Sequence, residues 1–391
     1  MLTGSYHPGT PTEGLNIIFD TMPIDLYIKS EVIKARVRLE GKLHYTWKGK
    51  SFGKALGHIT YADKLKKKTK LPSNELDKKN MEPMWDKKYT VNKESYNNGN
   101  DILTGYRCYT DGSKMSDDCD AGALLMNGDH TICTISEPLG KQNTVFQAEI
   151  IAIAEGYKLV EVELNNGRAI NKVNFLSDSQ AALKALANLK INSKCVLAAA
   201  KCLNELGKKT KVELHWIKAH VDHPGNEKAD KLAKEGTKKL QTATYPISTT
   251  VMKSKIDERI YAEWTERWRA YPKCRQTKIF LRGPHIYTTE KLLRLDRRTL
   301  SDVVQMLTGH NYLGKHMNLV DNELCKLCRY CQLEPESSGH LITDCEVLWR
   351  ERSEASRNPF LSRDTPNWTV EQLTQFLKSK PMKDLLDPEY E

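Results

Sequence analysis

No run of eighteen consecutive apolar residues occurs in the 391-residue chain, which excludes a membrane-spanning helix. The opening residues, Met1-Leu2-Thr3-Gly4-Ser5-Tyr6, lack a charged start followed by an apolar core, so no secretory signal is expected. No internal repeat is visible. Acidic residues are in deficit: 60 Lys and Arg stand against 50 Asp and Glu, a formal net charge of +10. That excess favours a polyanionic partner without identifying one. What is present is a soluble composition, 39% hydrophobic and 28% charged, with enough apolar content for a core and enough length for two or three domains.

Cysteines number ten, and their distribution is informative. Cys108, Cys119, Cys133, Cys195, Cys202 and Cys274 are scattered, whereas Cys325, Cys328, Cys331 and Cys345 crowd together. An intracellular, reducing setting is expected, cytoplasm or nucleus being left open, and a local cluster there reads as a metal site rather than disulfides.

Along the chain, residues 1–70 read as helical, with Pro23 at the start of a second helix and a charge run, Lys64–Lys70, expected to be a solvated face. Residues 71–101 are polar and carry Pro72, Pro83 and Asn97-Asn98-Gly99-Asn100, and read as a linker. Residues 102–240 change character. Strand composition over Arg107–Thr110, Ala121–Met126 and Thr131–Ile135 is followed by alternation. Val145–Val162 reads as a helix, Lys172–Leu176 as a strand, and Ser179–Leu189 and Ser193–Leu206 as helices. Val212–Ile217 reads as a strand and Glu227–Lys239 as a helix. This order argues an α/β domain, a mixed sheet with helices packed on it. Residues 241–254 read as a second linker. Residues 255–320 read as helical and basic, with Lys and Arg outnumbering Asp and Glu almost two to one. Residues 321–350 hold the cysteine cluster, and 351–391 read as a tail with a helix over Val370–Lys378.

Four acids fall at informative places. Asp111 and Asp178 stand at the ends of expected strands, where active sites of such sheets tend to lie. Glu149 shares a helix face with Phe146 and Ile153, and an inward carboxylate needs a partner such as a metal ion. Asp230 lies one turn inside a helix. Each has a simpler explanation: Asp111-Gly112 as a hairpin turn, Asp178 as a helix N-cap, Glu149 in a buried salt bridge, Asp230 on an exposed face.

Taken together, the blocks Tyr109-Thr110-Asp111-Gly112-Ser113, Gln147-Ala148-Glu149, Leu176-Ser177-Asp178-Ser179-Gln180 and His220 with Gly225-Asn226-Glu227-Lys228-Ala229-Asp230 resemble the four signature blocks of type-1 ribonuclease H, in order, over about 135 residues. The resemblance implies a mixed five-stranded sheet with flanking helices and a catalytic tetrad, Asp111, Glu149, Asp178 and Asp230, holding two Mg²⁺ (or Mn²⁺) ions. It implies that His220 assists proton transfer or product release, His223 being its nearest rival. It also implies that Gly112, Ser113, Ser179 and Gln180 line the substrate. The chemistry suits hydrolysis of a phosphodiester, because hard cations prefer carboxylate oxygens and can activate water. The asparagine usual in the family one turn before the glutamate is missing; Val145 stands there, after Asn143 and Thr144. The 52-residue interval between Asp178 and Asp230 is similar to the compact retroelement form.

Cys328, Cys331, His340 and Cys345 give the spacing C-x2-C-x8-H-x4-C, suited to a tetrahedral structural Zn²⁺. Cys325 is a spare and forms an alternative C-x2-C pair with Cys328. This region, with Thr308-Gly309-His310 upstream, resembles the terminal zinc module of non-LTR retrotransposon polyproteins. Pro23-Ile24-Asp25-Leu26-Tyr27 and Ala35-Arg36-Val37-Arg38-Leu39 resemble the stretch that joins reverse transcriptase to ribonuclease H in them. Tyr61-Ala62-Asp63-Lys64 lacks the paired aspartates of a polymerase site. The expected activity is cleavage of the RNA strand of RNA–DNA hybrids, with added nucleic-acid affinity from the helices of 255–320. Alternatives from other classes are a non-catalytic nucleic-acid-binding module that keeps the fold and an interaction protein built on the zinc module. A transposase or exonuclease of the same superfamily ranks lower. Oligomeric state is not legible.

Overall fold

The structure, a computed structural model, describes residues 9–39, 45–47, 50–52, 57–72, 75–78, 82–95, 105–219, 224–241, 243–356 and 368–386. The chain divides into two compact units, Val32–Asp257 and Met1–Glu31 with Glu258–Glu391.

Three helices come first: α1 (Thr12–Ile18), α2 (Ile24–Arg38) and α3 (Gly57–Lys68). Pro23 immediately precedes α2, where a missing N–H costs nothing. The stretch expected to be wholly helical also contains a short antiparallel pair, Tyr45–Trp47 with Lys50–Phe52. The charge run forms the last turns of α3, where cations suit the negative end of the helix dipole. Arg36 on α2 pairs with Asp63 on α3 at 2.7 Å.

The unit Val32–Asp257 is built on a sheet of strands β1 (Tyr89–Ser95), β2 (Tyr106–Met115), β3 (Asp118–Asn127), β4 (His130–Gly140), β5 (Lys172–Ser177) and β6 (Lys211–Trp216). Their order is β1-β6-β5-β2-β3-β4. The pairs β1/β6, β6/β5 and β5/β2 are parallel, and β2/β3 and β3/β4 are antiparallel. The sheet is mixed, as expected, but has six strands rather than five. The extra strand is β1, in the stretch read as a linker. Only Tyr89 and Val91 supply apolar side chains there, and the intervening polar residues hide its period from the sequence. A second pairing from the same stretch joins Glu82–Pro83 to Lys190–Ile191.

Helices cover both faces: α4 (Val145–Asn165), α5 (Gln180–Ala187) and α6 (Lys194–Gly207) follow the meander and β5, and α7 (Pro224–Glu235) follows β6. Alternation along the strands sets the two cores. Cys108, Ala121, Ala123, Leu125 and Phe175 pack with Ile150, Ile153 and Val160 of α4. Tyr109, Leu124, Met126 and Leu176 pack with Ala229 of α7 and with Ile217. Each fully buried aliphatic side chain is worth roughly 1.5–3 kcal/mol against exposure. Two glycines let the helices touch the sheet. A Cβ on Gly112 would overlap the backbone nitrogen of Glu149 and lie 2.8 Å from the carbonyl carbon of Ala148. One on Gly122 would lie 2.5 Å from the nitrogen of Ala233 on α7.

The other unit is helical. It holds α1 and the helices α8 (Thr249–Ala270, in part), α9 (Arg275–Phe280), α10 (Ile286–Leu293), α11 (Arg297–Thr308), α12 (Gly314–Val320), α13 (Ser338–Thr343), α14 (Trp349–Ser356), α15 (Val370–Leu377) and α16 (Lys380–Leu386). The start of α8 lies in the stretch 241–254 read as a linker, where the Thr/Ser content masks it. Trp264 and Trp268 are core residues, each 3% exposed, and the Trp268 indole N–H donates to the carbonyl of Leu281 at 3.1 Å. The segment read as a tail is part of this core: Leu373, Phe376 and Met382 pack with Leu300, Val303, Leu307 and Leu341. No helix among the described residues is long and apolar enough to cross a membrane.

Candidate active site

Asp111 lies within β2 rather than at its end, because the hairpin turn falls later, at Ser116-Asp117, between Met115 and its partner Asp118. The ladder with β5 nevertheless stops at Tyr109, paired with Leu176. Continued by two residues, that register sets Asp111 beside Asp178, which has just left β5. A notch in the sheet thus collects both acids. Antiparallel pairing of Asp111 with Gly122 puts its side chain on the α7 face.

Glu149 reaches the notch from α4. Thr144 caps that helix: its hydroxyl accepts from the Gln147 N–H at 3.2 Å, and the Gln147 side chain accepts from the Thr144 N–H at 3.1 Å, a reciprocal capping box. Glu149 therefore sits in the second turn, directly over Gly112.

Oxygens of Asp111, Glu149 and Asp178 all lie within 4.8 Å of one another. Burial, then the negative charges of Asp178 and Asp230, push the Asp111 carboxyl up to about 7, against the opposing Gly112 N–H and Lys234. Burial, then Asp111 and Asp178, push Glu149 up to about 9. Glu149 Oε2 is buried without a hydrogen-bond partner. Three converging carboxylates with an orphaned oxygen are a poor arrangement for protein alone and a good donor set for a hard divalent cation.

Asp178 is not the helix cap. Ser179 takes that role, its hydroxyl accepting from the Ala182 N–H at 3.3 Å, and this leaves the Asp178 carboxylate for the notch. Two residues steady Asp178. The Trp216 indole donates to its carbonyl at 3.0 Å and the Asn226 side chain to Oδ2 at 3.4 Å. Asn226 is buried and belongs to the fourth sequence block, but a helix-start asparagine carries no signal that it reaches another acid.

Asp230 stands apart from the three. Lys234, one turn on, donates to its Oδ2 at 2.6 Å. It is still near enough to act on Asp111. Gln180 is exposed at the first turn of α5, and Ser113 is buried beside Asp111. His220 and His223 lie outside the described residues.

In the helical unit, Cys328, Cys331, His340 and Cys345 also converge. The Cys328 and Cys345 sulfurs are 3.9 Å apart, and Cys331 Sγ is 3.2 Å from His340 Nε2. Four ligands at about 2.1–2.3 Å around a tetrahedral Zn²⁺ require separations near these. Cys325 is exposed and outside the cluster. The loop is held by Glu336, fully buried, which accepts from the backbone N–H groups of Gly314 and Arg329 at 2.8 and 3.0 Å and from the Arg329 guanidinium. Arg352 donates to the carbonyl of Leu341 at 3.2 Å. Burial drives the Cys328 thiol up to about 12.

Residues 104–238 match the family model for RNase H. Over 44 residues the chain is 48% identical to the ribonuclease H of Paramagnetospirillum magneticum, covering 11% of this chain and 29% of that protein. A longer match of 113 residues, 29% identical, covers 26% of this chain and 72% of the ribonuclease H of Pseudomonas entomophila. The chain spans less than a third of the length of the first curated relatives it matches. Among solved structures, RNase H1 from the halophilic archaeon Halobacterium salinarum is similar at 22% identity and a TM-score of 0.28, over 34% of this chain and 97% of that one.

Proposed function

We propose that residues 104–238 form a metal-dependent endonuclease that hydrolyses the RNA strand of RNA–DNA hybrids. The observation that carries this reading is the convergence of Asp111, Glu149 and Asp178 within 4.8 Å, with an unpartnered buried oxygen on Glu149. These three would hold Mg²⁺ or Mn²⁺, with Asp230 as a fourth ligand once it exchanges Lys234 for the ion. Bound divalent ions would supply water that gives up a proton more readily, so that hydroxide attacks phosphorus, and positive charge that stabilises the departing 3′-oxygen.

The protein's own residues do the rest. Asp111 would hold the metal from β2, within 4.8 Å of the Glu149 and Asp178 oxygens. Asp178 is kept in place by Asn226 and Trp216. Glu149, nearest the apolar side of α4, would face the 2′-hydroxyl, and recognition by 2′-hydroxyls and groove shape rather than base edges selects the hybrid. His220 would move a proton at the leaving group or help release product. Gly112, Ser113, Ser179 and Gln180 would lie along the bound strand.

The basic helices of 255–320 would add sequence-tolerant affinity that falls with salt, and Cys328, Cys331, His340 and Cys345 would hold a structural Zn²⁺. Helices ahead of the nuclease and a Cys3His cluster behind it suit the C-terminal part of a non-LTR retrotransposon polyprotein, working inside the cell. One observation favours the second reading, a binding module that has lost activity: the 2.6 Å pairing of Asp230 with Lys234.

The test is strand choice. Hybrid, double-stranded RNA and double-stranded DNA of one sequence, each strand labelled in turn, are incubated with Mg²⁺. Cutting confined to the RNA of the hybrid is expected. Cutting of DNA, or binding with no cutting, would overturn the assignment.

A further inference from the structure

Gln147 was part of a sequence block but has no place in the chemistry above. Its side chain is 1% exposed, and both ends are engaged. Oε1 accepts from the Thr144 N–H at 3.1 Å. Nε2 donates to the Pro246 carbonyl at 2.8 Å and to Asp77 Oδ2 at 3.2 Å. Asp77 and Pro246 both lie outside the stretch that matches the nuclease family.

Asp77 is a hub. It accepts from the Ser193 hydroxyl at 2.8 Å and from the Cys195 N–H at 3.0 Å, at the start of α6. Its own N–H donates to the Ile247 carbonyl at 2.7 Å, and the Ile247 N–H donates back to Glu75 at 2.8 Å. The segments 75–78 and 243–247 are thereby locked to each other and to the first turns of α4 and α6. A carboxylate between two helix N-termini is well placed electrostatically.

The first turns of α4 are consequently held from two sides. Gly112 of β2 presses on the backbone at Ala148 and Glu149, and the Asp77–Pro246 clamp grips Gln147 from the other. We infer that Asp77, acting through Gln147, is a positioning residue for Glu149. The segments flanking the family domain are then working parts of the metal site rather than linkers. This rests on the proposal that Glu149 binds a metal ion. Asp77 itself touches neither substrate nor ion. Asn at this position would turn an NH2 toward either the NH2 of Gln147 or the donors of α6, leaving one set unmet.

The test uses the full chain with Asp77→Asn, and Ser193→Ala for comparison, which removes the cap of α6 and one donor to Asp77 but leaves the Gln147 donor in place. Two readouts are taken: amide hydrogen exchange of the metal-free protein across 144–150, and calorimetric Mn²⁺ binding without substrate. With Asp77→Asn, exchange over 144–150 should accelerate more than over 195–206, and Mn²⁺ affinity should fall by about tenfold, the usual consequence of losing an outer support of a ligand. Ser193→Ala should show the reverse order, with faster exchange over 195–206 than over 144–150 and a smaller change in Mn²⁺ affinity. Equal acceleration over the whole domain with unchanged Mn²⁺ affinity would overturn the inference. If the unaltered protein takes up no Mn²⁺, the nuclease assignment fails instead, and the exchange pattern alone decides whether Asp77 holds α4. Should Asp77→Asn not fold, Gln147→Met, which keeps the volume and loses the hydrogen bonds, gives the same two readouts.

Discussion

The Cα of Gly112 faces the backbone nitrogen of Glu149 with no room for a methyl group between them. That contact joins β2 to α4 at the height where Asp111 and Glu149 meet. A Gly112→Ala substitution must displace α4 or bend β2. Overpacking of this kind costs about 1–3 kcal/mol, and urea denaturation should register a loss of that size. Hybrid cleavage should fall further than stability does, because the shift separates two metal ligands. A variant with unaltered stability would mean that α4 does not rest on Gly112.

The raised ionisation of the carboxylates gives a pH signature. Asp111, pushed up to about 7 when folded, holds a proton that the unfolded chain has released from about pH 4 upward. The contribution to stability is thus fully present below pH 4 and is lost as pH rises through 7. Asp111→Asn, which cannot ionise, escapes this loss. In EDTA at pH 8 the variant should be more stable than the unaltered protein, by on the order of 2 kcal/mol, and the gap should close toward pH 4. Urea melts at the two pH values check the sign. An equal or less stable variant at pH 8 would contradict the crowding of charge at the notch.

Lys234 competes for Asp230. Removing it with Lys234→Met frees that carboxylate and takes a positive charge from the neighbourhood of Asp111. The pair is partly exposed, so the effect is modest: Mn²⁺ binding tightens by about two- to threefold, measured by calorimetry without nucleic acid. Weaker binding would show that Asp230 is not among the ligands.

The cysteine cluster separates two ligand sets that the sequence left open. Zinc measured by plasma mass spectrometry should be one per chain in the unaltered protein and in Cys325→Ser, and absent in Cys331→Ser. Loss of metal should also remove the cooperative melting of the helical unit, since Cys328 and Cys345 sit in its core. Retention of zinc in Cys331→Ser with loss in Cys325→Ser would reverse the assignment.

Much of the sheet unit was legible because its elements obey simple periods. The α4 stretch repeats apolar residues on one face, β5 carries Val173, Phe175 and Leu176 in a short stretch, and β6 alternates Val212, Leu214 and Trp216 with polar residues. The acids stood out because they interrupt those patterns, Asp178 just past the end of β5 and Glu149 on the apolar face of α4. What escaped had no period to show. β1 carries only Tyr89 and Val91 on its inner face, and its place beside β6 is a long-range pairing that no local signal announces. Asp111 was expected at a strand end, since Asp-Gly commonly turns a hairpin. β2 runs on to Met115 because β3 pairs with it throughout, while the missing partner on the β5 side makes the notch. The role of Asn226 beside Asp178 and the clamp of Asp77 on Gln147 depend on tertiary proximity. The tail escaped because Leu373 and Phe376 find their partners in α11, some seventy residues earlier.

The central claim is that the three converging carboxylates make a metal-dependent nuclease. Its most direct test is single-turnover cleavage of an RNA-labelled RNA–DNA hybrid by the full chain with Mg²⁺, beside an EDTA control and Asp111→Asn. Cutting of the RNA strand that disappears both with EDTA and with the substitution is the predicted result. Tight, salt-sensitive binding of the hybrid without cutting, or cutting that survives Asp111→Asn, would contradict it.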